Sequence, residues 1–445
     1  MKKIVALFVL GGLFVVSTSA QQMTLGDAVR VALDQNVSVR QAENNVQAAQ
    51  SSVLSAYGSY LPTLSASGSW TRQQTERPAS TQIIAGIPIP VPATSTTNSY
   101  YSTGLSVGYT IFDGFSREAN FNRAVSNSTA TEQQAARTRQ QIVFQVQSGY
   151  FNVLRTEQLV KVSEENLKRD QRQLDRITES NRVGSLSLAD VYRQQSVVAN
   201  DELNLISAQN NFDKAKADLL ALIGADPNAN VTVADPSIAT DIPKAEFDSV
   251  ATVASQYTQI RKDAIEARPD YQAAKENFSA AESGVTAAWS RYFPSISASA
   301  GYNLSANEFS QLKDQRGINW GISIRWSLFD GFQTNQNIQS AQAGKRNAEL
   351  TLLQTERNIS VDVKKALLDL EAARKQYDAS EKSLLSATQD RKVAEERYNL
   401  GAGTLLDLLT ANAGYVNSQA SLVNATYNYI TARKNLEYAT GQLSY

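Results

Sequence analysis

Four segments of the chain alternate apolar with small or polar positions, and two long stretches carry an apolar residue at every seventh position. Leu64, Ala66, Gly68 and Trp70 alternate with Ser65, Ser67 and Ser69; Leu105, Val107, Tyr109 and Ile111 alternate with Ser106, Gly108 and Thr110. Later come Ile296, Ala298, Ala300 and Tyr302, then Ile318, Trp320, Ile322, Ile324 and Trp326, again with small or polar residues between them. Each segment is about ten residues long, enough for a tilted strand to cross a bilayer, and Trp and Tyr sit towards the ends of the apolar face. A half-buried soluble hairpin would alternate in the same way. The every-seventh series are Val146, Val153, Val160, Leu167 and Leu174, then Val363, Leu370, Tyr377 and Leu384, which is a coiled-coil type of seam. All ten prolines lie outside 115–222 and 332–440, as two uninterrupted helical hairpins require.

The chain also repeats itself. Tyr60-Leu61-Pro62-Thr63-Leu64 returns as Tyr292-Phe293-Pro294-Ser295-Ile296, and Ile111-Phe112-Asp113-Gly114-Phe115 as Leu328-Phe329-Asp330-Gly331-Phe332. The second pair is offset by 217 positions, which also carries Gly184 onto Gly401, Asp190 onto Asp407 and Gly224 onto Gly441. So long a stretch without insertion or deletion marks packed helix, where one extra residue would rotate the seam by about 100°. The outgoing leg of each hairpin spans about 100 Å and the return leg about half of that; shorter helical patterns at 24–58 and 269–291 supply the missing half, making a rod. The expected layout is an export signal at 1–20, a first repeat at 21–224, a linker region at 225–265 and a second repeat at 266–445. The first repeat holds strands at about 61–70 and 101–112 and a hairpin at 115–222; the second holds strands at about 294–304 and 317–329 and a hairpin at 332–440. Residues 71–99 and 303–316 are expected as external loops, and Asp113 and Asp330 as helix N-caps beside a turn glycine.

Lys2 and Lys3, the apolar run Ile4 to Val16 and the small residues Thr18-Ser19-Ala20 predict a secretory signal cleaved near Gln21. No later run of about 18 apolar residues exists, so any membrane passage must be made by a β-barrel. Four strands cannot close one, and lipid does not tolerate open edges. Three copies would bring twelve strands, enough for a barrel with an aqueous bore.

Composition narrows the chemistry. The 445 residues include no His and no Cys, which removes imidazole and thiolate nucleophiles, the usual soft metal ligands and disulfides. With 42 Lys+Arg against 43 Asp+Glu, the net charge of −1 argues against nucleic acid as a partner. No phosphate loop or nucleophile–base pair is present, so an enzyme is disfavoured and no cofactor or metal is expected. The fold class expected is mainly α with a β-barrel part, built from a duplicated helix–strand–strand–long hairpin unit. A soluble periplasmic coiled-coil adaptor or scaffold is the competing reading.

Taken together, Thr24-Leu25, Ala32-Leu33, Tyr60-Leu61-Pro62, Phe112-Asp113-Gly114, Tyr150-Phe151-Asn152-Val153-Leu154, Arg268-Pro269-Asp270 and the paired Val183-Gly184 and Leu400-Gly401 turns resemble the TolC family of outer-membrane efflux proteins. The resemblance covers essentially the whole mature chain. It implies a homotrimer in outer-membrane lipid, with a 12-stranded β-barrel continuous with a periplasmic α-helical barrel and an equatorial region near 225–265. It also implies an exit duct docked to a periplasmic adaptor (membrane fusion protein) and an inner-membrane RND, ABC or MFS transporter. The far tips of the hairpins, Val183-Gly184-Ser185-Leu186 and Leu400-Gly401-Ala402-Gly403, are then the expected adaptor contacts.

Ser187 to Asp190 and Thr404 to Asp407 read as capping boxes on the returning helices. Threefold symmetry would gather three Asp407 carboxylates into a cation-selective ring at the narrow end. The place of the family's second acidic ring, one turn on, is held here by Thr410, and a basic residue of the family's closure matches Gly403. Its tyrosine and acidic partners match Tyr398 and Asp190, which are expected to latch the closed tip by a hydrogen bond.

Overall fold

The computed structural model describes residues 21–235 and 256–443. The expected export signal at 1–20 lies outside the described residues, as does the middle of the expected linker at 225–265. In chain order the elements are β1 (Gln21–Met23), α1 (Leu25–Gln35), α2 (Val37–Gly58), β2 (Thr63–Arg77), β3 (Ser80–Ile84), β4 (Ile87–Val91) and β5 (Thr94–Phe112). The first long hairpin, α3 (Ser116–Arg182) and α4 (Leu188–Leu222), is followed by β6 (Val231–Val233), α5 (Tyr257–Ala267) and α6 (Pro269–Trp289). The second repeat closes with β7 (Ser295–Ala306), β8 (Arg316–Arg325), α7 (Gln333–Asn399) and α8 (Leu405–Ala439). The outgoing helices α3 and α7 have 67 residues each and the returning helices 35 each, so the duplication is kept to the residue. The chain divides into two units, one of Asn44–Gln134 with Asp270–Thr355, the other of the remaining stretches.

The first unit holds a four-stranded antiparallel sheet in the order β2-β5-β7-β8. Its register puts Leu64, Val107, Ala300 and Trp320 in one cross-strand row and Ala66, Leu105, Tyr302 and Ile318 in the next. The apolar residues therefore share one face. On the other face small polar residues bond across the strands: Ser65 to Ser106 at 2.7 Å, Ser69 to Ser102 at 2.8 Å, Ser297 to Ser323 at 2.9 Å and Asn303 to Asn319 at 2.8 Å. The predicted alternation is thus explained by one sheet with an apolar and a polar side.

Strand lengths differ from expectation. The stretch expected as an external loop at 71–99 is largely β-structure, because β2 runs on to Arg77 and β5 starts at Thr94, pairing Thr75 with Thr96 and Arg77 with Thr94. β-branched threonines on both strands favour this extension. Between them β3 and β4 form a separate ribbon around Ala85-Gly86, both with positive φ. β8 ends at Arg325, short of the expected 329, because no strand lies beyond it; its counterpart β5 is held as far as Phe112 by β7, through a bulge after Thr110.

After β5 and after β8 the chain turns into a long helix through Asp-Gly-Phe. Gly114 and Phe115 both have φ of 70°, and Gly331 and Phe332 have 66° and 70°. A Cβ on Gly114 would lie 2.4 Å from the Ser290 carbonyl, so only glycine permits this approach. Asp330 caps as expected, accepting from the Thr334 backbone N–H at 2.8 Å, whereas Asp113 pairs with Arg117 at 3.4 Å.

In the second unit the seam residues Val146, Val153, Val363, Leu370 and Tyr377 are buried, while Val160, Leu167, Leu174 and Leu384 are half-buried. The main core joins Tyr150, Phe151, Leu219, Leu220 and Ile223 to Ala28, Ala32 and Val39 of α1 and α2. The Tyr150 hydroxyl donates to the Met23 carbonyl at 2.9 Å, tying α3 to the small parallel sheet of β1 and β6. The repeats end alike: Asn36 Nδ2 donates to the Leu222 carbonyl at 2.8 Å, and Arg268 Nη1 to the Ala439 carbonyl at 3.2 Å, each meeting a returning helix that stops at Gly224 or Gly441. Buried Arg268 also pairs with Asp362 at 3.1 Å. Helix α5 crosses the expected boundary at 265 and matches α1 in length, 11 residues.

Candidate functional site

Each outgoing helix ends in a left-handed glycine, Gly184 or Gly401, with φ of 82° and 74°. The Gly184 and Ser185 N–H groups return to the Asn181 and Ser180 carbonyls at 2.9 Å each, which closes the last turn of α3. Asn181 Nδ2 bonds the Leu186 carbonyl at 2.7 Å and holds the loop. In the second hairpin Ala402 N–H donates to the Arg397 carbonyl at 2.8 Å, and Arg397 Nη2 reaches back to the Ala402 carbonyl at 3.3 Å. The tips are nonetheless apolar outside: Val183, Leu188 and Leu406 are exposed and Leu400 is 83 % exposed. That is surface without a partner in the single chain.

Behind each loop the returning helix is capped. At α8 the box is complete: Asp407 N–H donates to Thr404 Oγ1 at 3.2 Å, and Thr404 N and Oγ1 donate to Asp407 Oδ2 at 3.0 and 2.8 Å. At α4 it is half made: Asp190 N–H donates to Ser187 Oγ at 3.3 Å and Ser187 Oγ to Asp190 Oδ2 at 2.7 Å, without a return bond from the Ser187 N–H, and Asp190 Oδ1 takes Arg193 at 3.4 Å. The hydrogen bonds from the Thr404 backbone and hydroxyl hold the exposed Asp407 carboxyl below the usual carboxylate range. Thr410 Oγ1 folds back onto the Leu406 carbonyl at 2.8 Å.

Tyr398 sits half-buried against the cluster of Ile177, Val191 and Leu405 that joins the two hairpins near their tips. Burial raises its phenol first and the nearby Asp190 charge second, so the two expected partners are neighbours. Among the described residues no hydrogen bond joins them; both Asp190 oxygens are engaged on its own helix. Gly403 is tightly placed, since a Cβ there would lie 3.2 Å from Arg397 Cβ. The basic group at this tip is Arg397, which sequence reasoning passed over; its signal was a cation in the last turn of a helix, where the dipole favours one. The arrangement has carboxylates, a phenol and guanidinium groups at helix ends, with the Ser187 and Thr404 hydroxyls held by the carboxylates as caps. Among the described residues no group of His, Cys, Asp or Glu could hold a metal ion, and no helix is long and apolar enough to cross a membrane.

Comparison with known proteins gives one consistent result. The family model described as outer membrane efflux protein matches residues 28–225 and 260–442. The probable efflux pump outer membrane protein TtgC of Pseudomonas putida is 25% identical over 430 residues, covering 94% of this chain and 82% of that protein. Outer membrane protein TolC of Escherichia coli is 22% identical over 317 residues, covering 68% of this chain and 62% of that protein. Among solved structures, the outer membrane protein VceC of Vibrio cholerae superposes with a TM-score of 0.77 at 21% identity, covering 94% of this chain and 96% of that one.

Proposed function

Because the chain belongs to the outer membrane efflux protein family, we propose that three copies close one barrel and work as the outer-membrane exit duct of a pump or secretion system. The outer-membrane location and the duct role follow from the family, whose relatives here include efflux proteins and the protein CyaE of Bordetella pertussis. A soluble adaptor would have no use for a sheet whose apolar face is exposed along its length. The partners of this reading are a periplasmic adaptor seated on the apolar tips and an inner-membrane RND, ABC or MFS transporter that supplies the cargo.

One observation carries the trimer: the repeats are alike in sequence and unlike in contacts. Gly114 is pressed against Ser290 and Phe293 of the second repeat, but a Cβ on Gly331 would meet nothing within 4 Å beyond its chain neighbours among the described residues, and Phe332 is 71 % exposed. The sheet has two free edges, β2 and β8. β8 is the second-repeat counterpart of β5, and β2 is the first-repeat counterpart of β7. The β5–β7 register, carried over by those two relations, seats β8 on the β2 of a second copy: Ser106 opposite Gly301 becomes Ser323 opposite Ser69. Hydrocarbon penalises each unpaired backbone group by several kcal/mol (roughly), so the open edges favour closure.

The chain has no Cys, so a double variant Ser69→Cys, Ser323→Cys tests this without background. Oxidation in outer-membrane preparations is expected to give a ladder that ends at three linked chains on non-reducing gels. A ladder absent from correctly inserted protein would overturn the proposed closure. The proposed gate lies at the tips: an Asp407 ring sets cation preference, with Thr410 in place of a second ring, and Tyr398 with Asp190 latches the resting state.

A further inference from the structure

Halfway between the tip and the core of the first hairpin, two carboxyl groups face each other across the α3–α4 contact. Asp170 of α3 is 2 % exposed and Asp201 of α4 is 7 % exposed, close enough that a hydrogen can bridge them. Asn166 Nδ2 donates to Asp201 Oδ1 at 2.7 Å, and Gln194 Nε2 donates to the Asp170 carbonyl at 3.1 Å and its Oδ1 at 3.4 Å. Two buried acceptors are left over: Asp201 Oδ2 and Gln194 Oε1 have no hydrogen-bond partner. One hydrogen on the pair turns an acceptor into a donor and relieves this shortage, whereas a second negative charge deepens it.

Arg169 offsets part of the pair's negative charge, and burial together with the second carboxyl outweighs it at Asp201. On α3 the neighbouring cation is Arg169, 3.8 Å from Asp170 and bonded to Asn166; on α7 it is Arg391, stacked at 4.0 Å on the Tyr415 ring of α8. Arg169 also stands 5.9 Å from that ring. α4 adds the neutral Gln194 to the pair's surroundings. The second repeat does without the device: at the positions of Asn166 and Asp201 it has Ser383 and Ser418, bonded to each other at 3.1 Å.

We infer that Asp170 and Asp201 form an acid-tightened clasp between α3 and α4, closed while they share a proton and loosened when both are charged. Burial first, then the Asp170 carboxyl, push Asp201 up to about 7. A carboxyl raised on folding holds its proton in the native state where the unfolded chain has lost it. The stabilisation is therefore complete on the acid side and is lost as pH rises through about 7. The periplasmic hairpin so responds to pH in the first repeat alone.

Hydrogen exchange of the intact protein in detergent, corrected for the intrinsic pH dependence of the reaction, reads the clasp in the peptides around Asp170 and Asp201. Exchange there is expected to quicken by up to about tenfold per pH unit between the ordinary carboxylate range and about 7 and to level off above it, while the Ser383–Ser418 region stays constant. Asp201→Asn should hold the slow rate at all pH values, and Asp201→Ser, which copies the second repeat, should be equally flat. A wild-type rate without pH dependence, or one that persists in Asp201→Asn, would overturn the clasp. So would recovery of slow exchange at alkaline pH on adding calcium chloride, which would make the pair a cation site. This outcome is independent of the trimer and the gate.

Discussion

At Asp407 both capping bonds fall on Oδ2, so one carboxylate can hold the start of α8 and still present charge to a bore. Replacing it with Asn keeps an N-cap type of side chain and removes the charge; reversal potentials in planar bilayers are expected to show weaker cation preference with conductance retained. Its lowered pKa fixes the sign of the pH response. The wild-type preference should be level through neutral pH and fade only on acidification below the ordinary carboxylate range. Tyr398→Phe and Asp190→Ala test the latch in the same recordings: higher resting conductance in either supports it, and unchanged conductance in both removes it. Residue types at the tips were legible because Gly at a helix end and Ser/Thr three residues before Asp have local causes. What was not legible is where Asp190 spends its hydrogen bonds, since Arg193 competes for it from its own helix.

Among the elements, the two returning helices start from the same motif with different completeness. Thr404→Ala removes the hydroxyl half of the cap on α8 and leaves the Thr404 N–H bond to Asp407 in place, as Ser187→Ala removes the hydroxyl at α4, so each is expected to destabilise the start of its helix by about 1 kcal/mol. Local hydrogen exchange at the two tips measures the losses; no change in either variant would show that the hydroxyls add nothing. Helix bounds were readable almost to the residue because proline exclusion and the offset of 217 act along the whole length. Strand bounds were not. Where β2 stops depends on whether β5 continues opposite it, and where β8 stops depends on a strand that is absent from its far side. Helix α5 was missed for a related reason: its partner α1 sits at an offset of 232 (292 minus 60), not 217, so the comparison that exposed the hairpins skipped it.

For the whole molecule, the unequal corners separate folding from assembly. Gly114→Ala places a Cβ against Ser290 within the chain, so it is expected to spoil the protomer itself. Gly331→Ala strains a turn that has open space around it, so its chains should fold and then fail to associate. Size-exclusion profiles with circular dichroism distinguish the two, and equal behaviour would deny that the corners have different neighbours. The β3–β4 ribbon bears on the journey before assembly. Pro88 and Pro90 stand at alternate positions of β4, and the ladder to β3 holds only if Ile87, Ile89 and Val91 donate inward, which turns the proline nitrogens to the outside. On an unassembled chain the β4 side of this apolar ribbon thus offers no N–H at positions 88 and 90 for a stray strand to pair with.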